Sequence, residues 1–142
     1  FLILPMTYGG HSKYIGEVER ELFGMKNVVI TRFLSPSESA MLRKATDIFI
    51  NVQTTDVLSG SMLEHIYAGS VVITGDWLPY KALEDMGIDV YKVSKPDDVG
   101  GALWYMLSNF ESWRGRNHAS KENVYEFASW ENNIKSWVRL WR

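Results

Sequence analysis

The chain has 142 residues, a formal net charge of −2 from 15 Lys and Arg against 17 Asp and Glu, and no cysteine. With 46% hydrophobic and 13% aromatic residues it carries enough apolar surface for one packed domain, which argues against disorder. The charge balance offers no basic surface for nucleic acid, and the missing cysteines exclude a disulfide framework and a thiolate metal site.

Phe1 to Met6 (FLILPM) predicts a buried strand that ends in the turn Thr7-Tyr8-Gly9-Gly10. Tyr14, Val18 and Leu22, with Ile15 and Phe23 beside them, form an apolar stripe among Glu17, Glu19, Arg20 and Glu21, so a helix is expected, closed by Gly24. Asn27 to Phe33 reads as the second strand. In Ser35-Pro36-Ser37-Glu38, Ser35 is a natural N-cap, Pro36 suits the first helical position and Glu38 completes a capping box. Met41, Leu42 and Ala45 are expected on the inner face of that helix, and Asp47 to Val52 forms the third strand.

After the Thr54 to Gly60 loop, Met62, Leu63, Ile66 and Tyr67 mark the buried face of a helix ended by Gly69, with Glu64 and His65 off the stripe. Val71 to Thr74 is a fourth strand, and Asp76 is expected to cap a helix running to Met86. Ile88 to Val93 is a fifth strand. Ser94 is expected to cap a helix from Pro96 whose inner stripe is Val99, Leu103, Met106 and Phe110. Two helices then follow within 111–142, roughly Ser120 to Ala128 and, capped by Ser129, Trp130 to Trp141. The apolar runs fall short of the ~20 residues that cross a bilayer, and the N-terminus lacks a signal peptide's basic flank and cleavage site. A cytoplasmic chain without a transmembrane segment is expected.

Strand and helix alternate, and the first four strands are short continuous apolar runs, as in strands buried on both faces. The fold class is therefore α/β, a Rossmann-like three-layer α/β/α arrangement around a parallel sheet of about five strands. Ligands of such sheets bind beyond the C-terminal strand ends, near helix N-termini. The segment from Thr54 to Tyr80 fits that place. Asp56 and Glu64 stand eight residues apart around the Ser59-Gly60 turn. Carboxylates beside a helix N-terminus can read sugar hydroxyls while the turn's N–H groups hold a phosphate.

The stretch from Leu34 to Tyr80, LSPSESAMLRKATDIFINVQTTDVLSGSMLEHIYAGSVVITGDWLPY, resembles the core of the second domain of GT-B glycosyltransferases of the retaining, family-four type. Ala45-Thr46-Asp47 matches the opening of the family's strand, Asp56 and Glu64 stand in its two glutamate positions, and Ala68 to Ile73 matches the tail of its motif. Ser129-Trp130-Glu131 is similar to the "SWE" that opens the family's last helix. The resemblance implies that Glu64 accepts hydrogen bonds from the ribose of a nucleoside-diphosphate sugar and that Asp56 orients the donor sugar. Backbone N–H groups from Leu58, Ser59, Gly60 and Ser61 would hold the diphosphate. Arg32 and Phe33 would border the base, and Gly9 and Gly10 would let the first loop approach the nucleotide. No divalent metal or other cofactor is expected.

The departures carry expectations of their own. The family's first glutamate is Asp56, one methylene shorter, and its Gly-Gly after the fourth strand is Gly75-Asp76-Trp77. The family's domain opens with a further strand and a loop bearing Arg and Lys, and an acceptor-binding domain precedes it. Residues 1–142 thus read as a single truncated domain, beginning at Phe1 inside an apolar run. With the family's central strand absent, the order 2-1-3-4-5 is expected. The isolated chain would not catalyse transfer; its glycan or lipid-linked acceptor, and any peripheral attachment at the inner membrane, would depend on the missing domain.

Each residue also has a plain structural role open to it. Asp56 serves as a turn residue, Glu64 as a solvated helix residue, His11 as a loop cap, His65 as a packing histidine and Arg32 as a strand-end cation. The tryptophans Trp104, Trp113, Trp130, Trp137 and Trp141 fit helix stripes buried in the core or beneath a further domain. Two other classes stand beside the donor-binding reading. One is a nucleotide-sugar epimerase of the same fold, which would want further acid and base residues in these loops. The other is a non-enzymatic receiver-like module, for which Met6-Thr7-Tyr8 lacks the acidic cluster.

Overall fold

The computed structural model describes residues 1–7 and 11–141, the side chains of residues 118 and 119 excepted. In chain order the elements are β1 (Leu2–Pro5), α1 (Ser12–Glu21), β2 (Asn27–Ile30), α2 (Pro36–Ala45), β3 (Ile48–Asn51), α3 (Gly60–Ala68), β4 (Val71–Gly75), α4 (Lys81–Asp85), β5 (Tyr91–Val93), a 3₁₀ turn (Pro96–Asp98), α5 (Val99–Ser108), α6 (Phe110–Ala128) and α7 (Trp130–Leu140). All strand pairs are parallel. Among the described residues no helix is long and apolar enough to cross a membrane. The chain divides into two compact units, Phe1–Met41 and Leu42–Arg142.

In the first unit, β1 pairs with β2 from Leu2↔Asn27 to Pro5↔Ile30. Ile15, Val18 and Leu22 are half-buried, whereas Tyr14 and Phe23 are exposed, so only part of the expected stripe of α1 is covered. Gly24 takes φ +83°, a left-handed turn that lets the Asn27 side chain bond the carbonyls of Leu22 and Met25. The capping box at α2 forms as expected. Ser35 N–H donates to Glu38 Oε2 at 2.8 Å, and Glu38 N–H donates to Ser35 Oγ at 3.3 Å.

In the second unit, β3, β4 and β5 form a sheet in that order, with Ile48↔Val71 and Ile73↔Tyr91 in register. The two-residue period of a strand sorts its side chains between two cores. Phe49 and Val72 join Met62, Leu63 and Ile66 of α3, Leu83 of α4 and Val124 of α6. Ile48, Ile50, Val71 and Ile73 point the other way, to Ala102, Leu103 and Met106 of α5. The unit is thus an α/β/α layering whose central strand β4 is buried on both faces, as its continuous apolar run predicts. Truncating a fully buried residue such as Ile73 in a core of this kind costs about 2–5 kcal/mol.

The Rossmann-like α/β class stands, and the neighbours within each sheet follow the expected order. The expected single sheet needs one correction: among the described residues the ladders make a two-stranded sheet, β1-β2, and a three-stranded one, β3-β4-β5. Every ladder observed links strands consecutive in sequence, the pairing a short crossover through one helix favours.

Other expectations shift locally. Met41 and Ala45 are exposed and only Leu42 is half-buried. On α3, His65 is buried and Tyr67 is exposed, because α3 packs against β3, β4 and α6 together and so buries more than one stripe. Asp76 does not cap a helix. It accepts from Ser94 Oγ at 2.8 Å, while α4 begins only after Leu78-Pro79, with Tyr80 in the N-cap position. Ser94 being so engaged, Lys95 precedes the 3₁₀ turn. Helix α6 runs unbroken from Phe110, and Ser129 caps α7 by accepting from Asn132 N–H. Trp113 packs on the α5 core, whereas Trp104, Trp130, Trp137 and Trp141 are exposed.

Candidate functional site

The loop from Val52 to Ser59 leaves the C-terminal end of β3 and delivers the chain to the start of α3. Ser59 caps that helix: its Oγ accepts from Met62 N–H at 3.3 Å and its carbonyl from Leu63 N–H at 3.0 Å. Gly60 and Ser61 N–H lie in the first turn, where no intrahelical acceptor exists and the helix dipole is positive. Leu58 turns its side chain onto the core beside Met62 and Leu63, which anchors the turn.

Asp56 is tied to the end of β3 and to the N-cap of α4. Its Oδ2 accepts from the Tyr80 hydroxyl at 2.5 Å and from Asn51 Nδ2 at 3.4 Å, and its Oδ1 accepts from Val57 N–H at 2.8 Å. Asn51 Nδ2 also donates to the Tyr80 oxygen at 2.7 Å. Asn51 is the last residue of β3, and Tyr80 follows the turn that leaves β4. The hydrogen bond from Tyr80, more than those from Val57 and Asn51, holds the Asp56 carboxyl below its ordinary pKa against the opposing effect of burial. Burial, then Asp56, push the Tyr80 hydroxyl upward. Sequence reasoning passed over Asn51 and Tyr80; the signal available was a polar residue closing an apolar strand and a tyrosine directly after Pro79.

Glu64 lies one helical turn into α3, exposed, and forms an ion pair with Arg43 of α2 through Oε2. Together with Gly60, Leu63, Tyr67, Val124, Tyr125, Ala128 and Ser129 it lines a cleft of about 350 Å³ between α3 and α6. His65 turns inward to β3. It stacks on Phe49 with ring centroids 4.2 Å apart and lies 3.4 Å from Ser70 Oγ. Burial, with Arg43 adding to it, lowers its pKa to about 4, so the packing role is the one it fills.

The Gly75-Asp76-Trp77 turn closes over the same strand end. Trp77 Nε1 donates to the Gln53 carbonyl at 2.9 Å, and its indole lies so close over Gly75 that a β-carbon there would come within 2.5 Å.

Arg32 and Phe33 belong to the first compact unit. Arg32 makes a two-pronged ion pair with Glu38, at 2.6 and 3.1 Å, and also donates to the Phe33 carbonyl. This pair, with the Ser35 N–H, draws the Glu38 carboxyl down to about 2. Phe33 is exposed. His11 occupies the N-cap position of α1 and bonds the helix through its carbonyl, not its ring. Gly9 and Gly10 lie outside the described residues.

Comparison with known proteins adds one relative. The chain is 22% identical over 130 residues to alpha-monoglucosyldiacylglycerol synthase of Streptococcus pneumoniae (strain ATCC BAA-255 / R6), covering 89% of this chain and 29% of that protein. No protein-family model matches. The chain therefore spans under a third of its relative, and the similarity supports a glycosyltransferase-like domain.

Proposed function

We propose that this chain is the donor-binding part of a GT-B glycosyltransferase that moves a sugar from a nucleoside-diphosphate sugar to a glycan or lipid-linked acceptor in polysaccharide biosynthesis. The observation that supports the reading is the Asp56 carboxylate in the loop between β3 and α3, hydrogen-bonded to Asn51 at the C-terminal end of β3 and to Tyr80 beyond β4. Ligands of parallel sheets bind in that position. The name of the pneumococcal relative favours a lipid-linked acceptor.

In this reading the N–H groups from Leu58 to Ser61 meet the diphosphate, and the positive end of α3 stabilises the charge that grows on it as the glycosidic bond breaks. That contribution replaces a divalent metal. Asp56 accepts hydrogen bonds from the donor sugar and fixes the anomeric carbon for transfer with retention. Glu64 accepts from the ribose through Oε1, since Arg43 engages Oε2. The acceptor is held by residues outside this chain, on the cytoplasmic side, so the 142 residues bind donor without transferring it.

Thermal-shift measurements with UDP, GDP, dTDP and their sugar conjugates test the reading. Stabilisation by at least one of them, lost in Glu64→Ala, is expected. No response to any nucleotide, or steady-state transfer by the isolated chain, would overturn it.

A further inference from the structure

The Asp56 carboxylate is held by more than its own turn. Tyr80 and Asn51 are only 1% and 3% exposed, and their polar ends converge on Asp56 from the N-cap of α4 and the end of β3. The Asn51 amide nitrogen can only donate, so the Tyr80 oxygen accepts from it and must send its own proton to Asp56. Both hydrogen-bonding capacities of that hydroxyl are thereby used in one direction. A carboxylate serving only as a turn cap needs the Val57 N–H and nothing more.

We propose that Tyr80 is a positioning residue, set by Asn51, that fixes the Asp56 carboxylate in one orientation toward the donor's sugar. The inference rests on the donor-site reading above and names residues that reading does not use. It also gives a reason why an aspartate suffices: a side chain with one methylene fewer cannot reach as far, but a carboxylate locked to the end of β3 and the N-cap of α4 loses little orientational freedom on binding. The lowered pKa of Asp56, caused first by Tyr80, agrees with an acceptor kept ionised.

The test measures affinities of the 142-residue chain by calorimetry for UDP-glucose and GDP-mannose, with UDP and GDP as the sugar-free pair. Tyr80→Phe is expected to weaken the better sugar nucleotide by about tenfold, the effect of misplacing one charge-assisted hydrogen bond, and to leave its sugar-free counterpart within about twofold. Asp56→Asn should do the same, and the double variant should add little, since both act through one carboxylate. If Tyr80→Phe does not fold, Asn51→Ala carries the same readout, because it removes the group that sets the hydroxyl together with that group's own longer bond to Asp56. A wild-type chain that binds none of the four overturns the donor-site reading and this inference with it. Sugar-nucleotide affinity unchanged in the variant, or lost equally with and without the sugar, overturns the positioning role alone.

Discussion

Arg43, from the last turn of α2, reaches the carboxylate of Glu64 on α3, and its own Nε is buried without a hydrogen-bond partner among the described residues. The two side chains differ in exposure, 26% for Arg43 and 57% for Glu64, so the guanidinium is the member that depends on the pair. Glu64→Ala should therefore lower stability by about 1 kcal/mol, the upper range for an exposed pair, by leaving a half-buried cation less compensated. Urea denaturation checks this. A loss near zero would mean that water already screens Arg43.

His65 makes stability depend on pH in a definite direction. Its pKa falls from 6.5 to about 4 on folding, through burial first and Arg43 second. The unfolded chain therefore binds a proton at a pH where the folded chain does not. The stability it preserves is complete above pH 6.5 and is lost as pH falls toward about 4. A decline of roughly 2 kcal/mol across that window is expected in denaturation curves, and His65→Phe should flatten it.

Gly75 is required by its neighbour. A β-carbon at this position would meet the Trp77 indole at 2.5 Å, and the indole is tethered to the Gln53 carbonyl. Gly75→Ala should cost about 1–3 kcal/mol and release Trp77, seen as a red shift in tryptophan emission. Adding Trp77→Ala should recover part of that stability. A single variant as stable as the wild type, with unshifted emission, would show that the turn accommodates the methyl group.

Ser35 and Glu38 form a reciprocal cap that Arg32 extends. Ser35→Ala should cost about 1 kcal/mol, the usual value of a lost N-cap. Because the Glu38 carboxyl is drawn down to about 2, its contribution is present above its ordinary 4.5 and fades as pH falls from there toward 2. Arg32→Ala should raise the Glu38 pKa, which carboxyl NMR titration would register.

Much of this protein was legible in the order of its residues. The Ser35 capping box, the Ser129 cap and the Gly69 helix end are local interactions within about one turn, and their residue types specify them almost without competition. The uninterrupted apolar runs of β3 and β4 likewise announced an α/β layering, because only a strand covered on both faces tolerates them. The tertiary structure decided what depends on distant partners. His65 is buried because it stacks on Phe49 of the distant strand β3, a partner that the helical pattern around residue 65 does not announce. Asp76 turned to Ser94 instead of capping α4, and the ladders divided into two sheets, since pairing depends on which strand ends come together. The Asp56 network joins residues 51, 56 and 80, whose spacing follows no helix or strand period. The sequence therefore marked the carboxylate, and only the fold could supply the tyrosine and the asparagine that aim it.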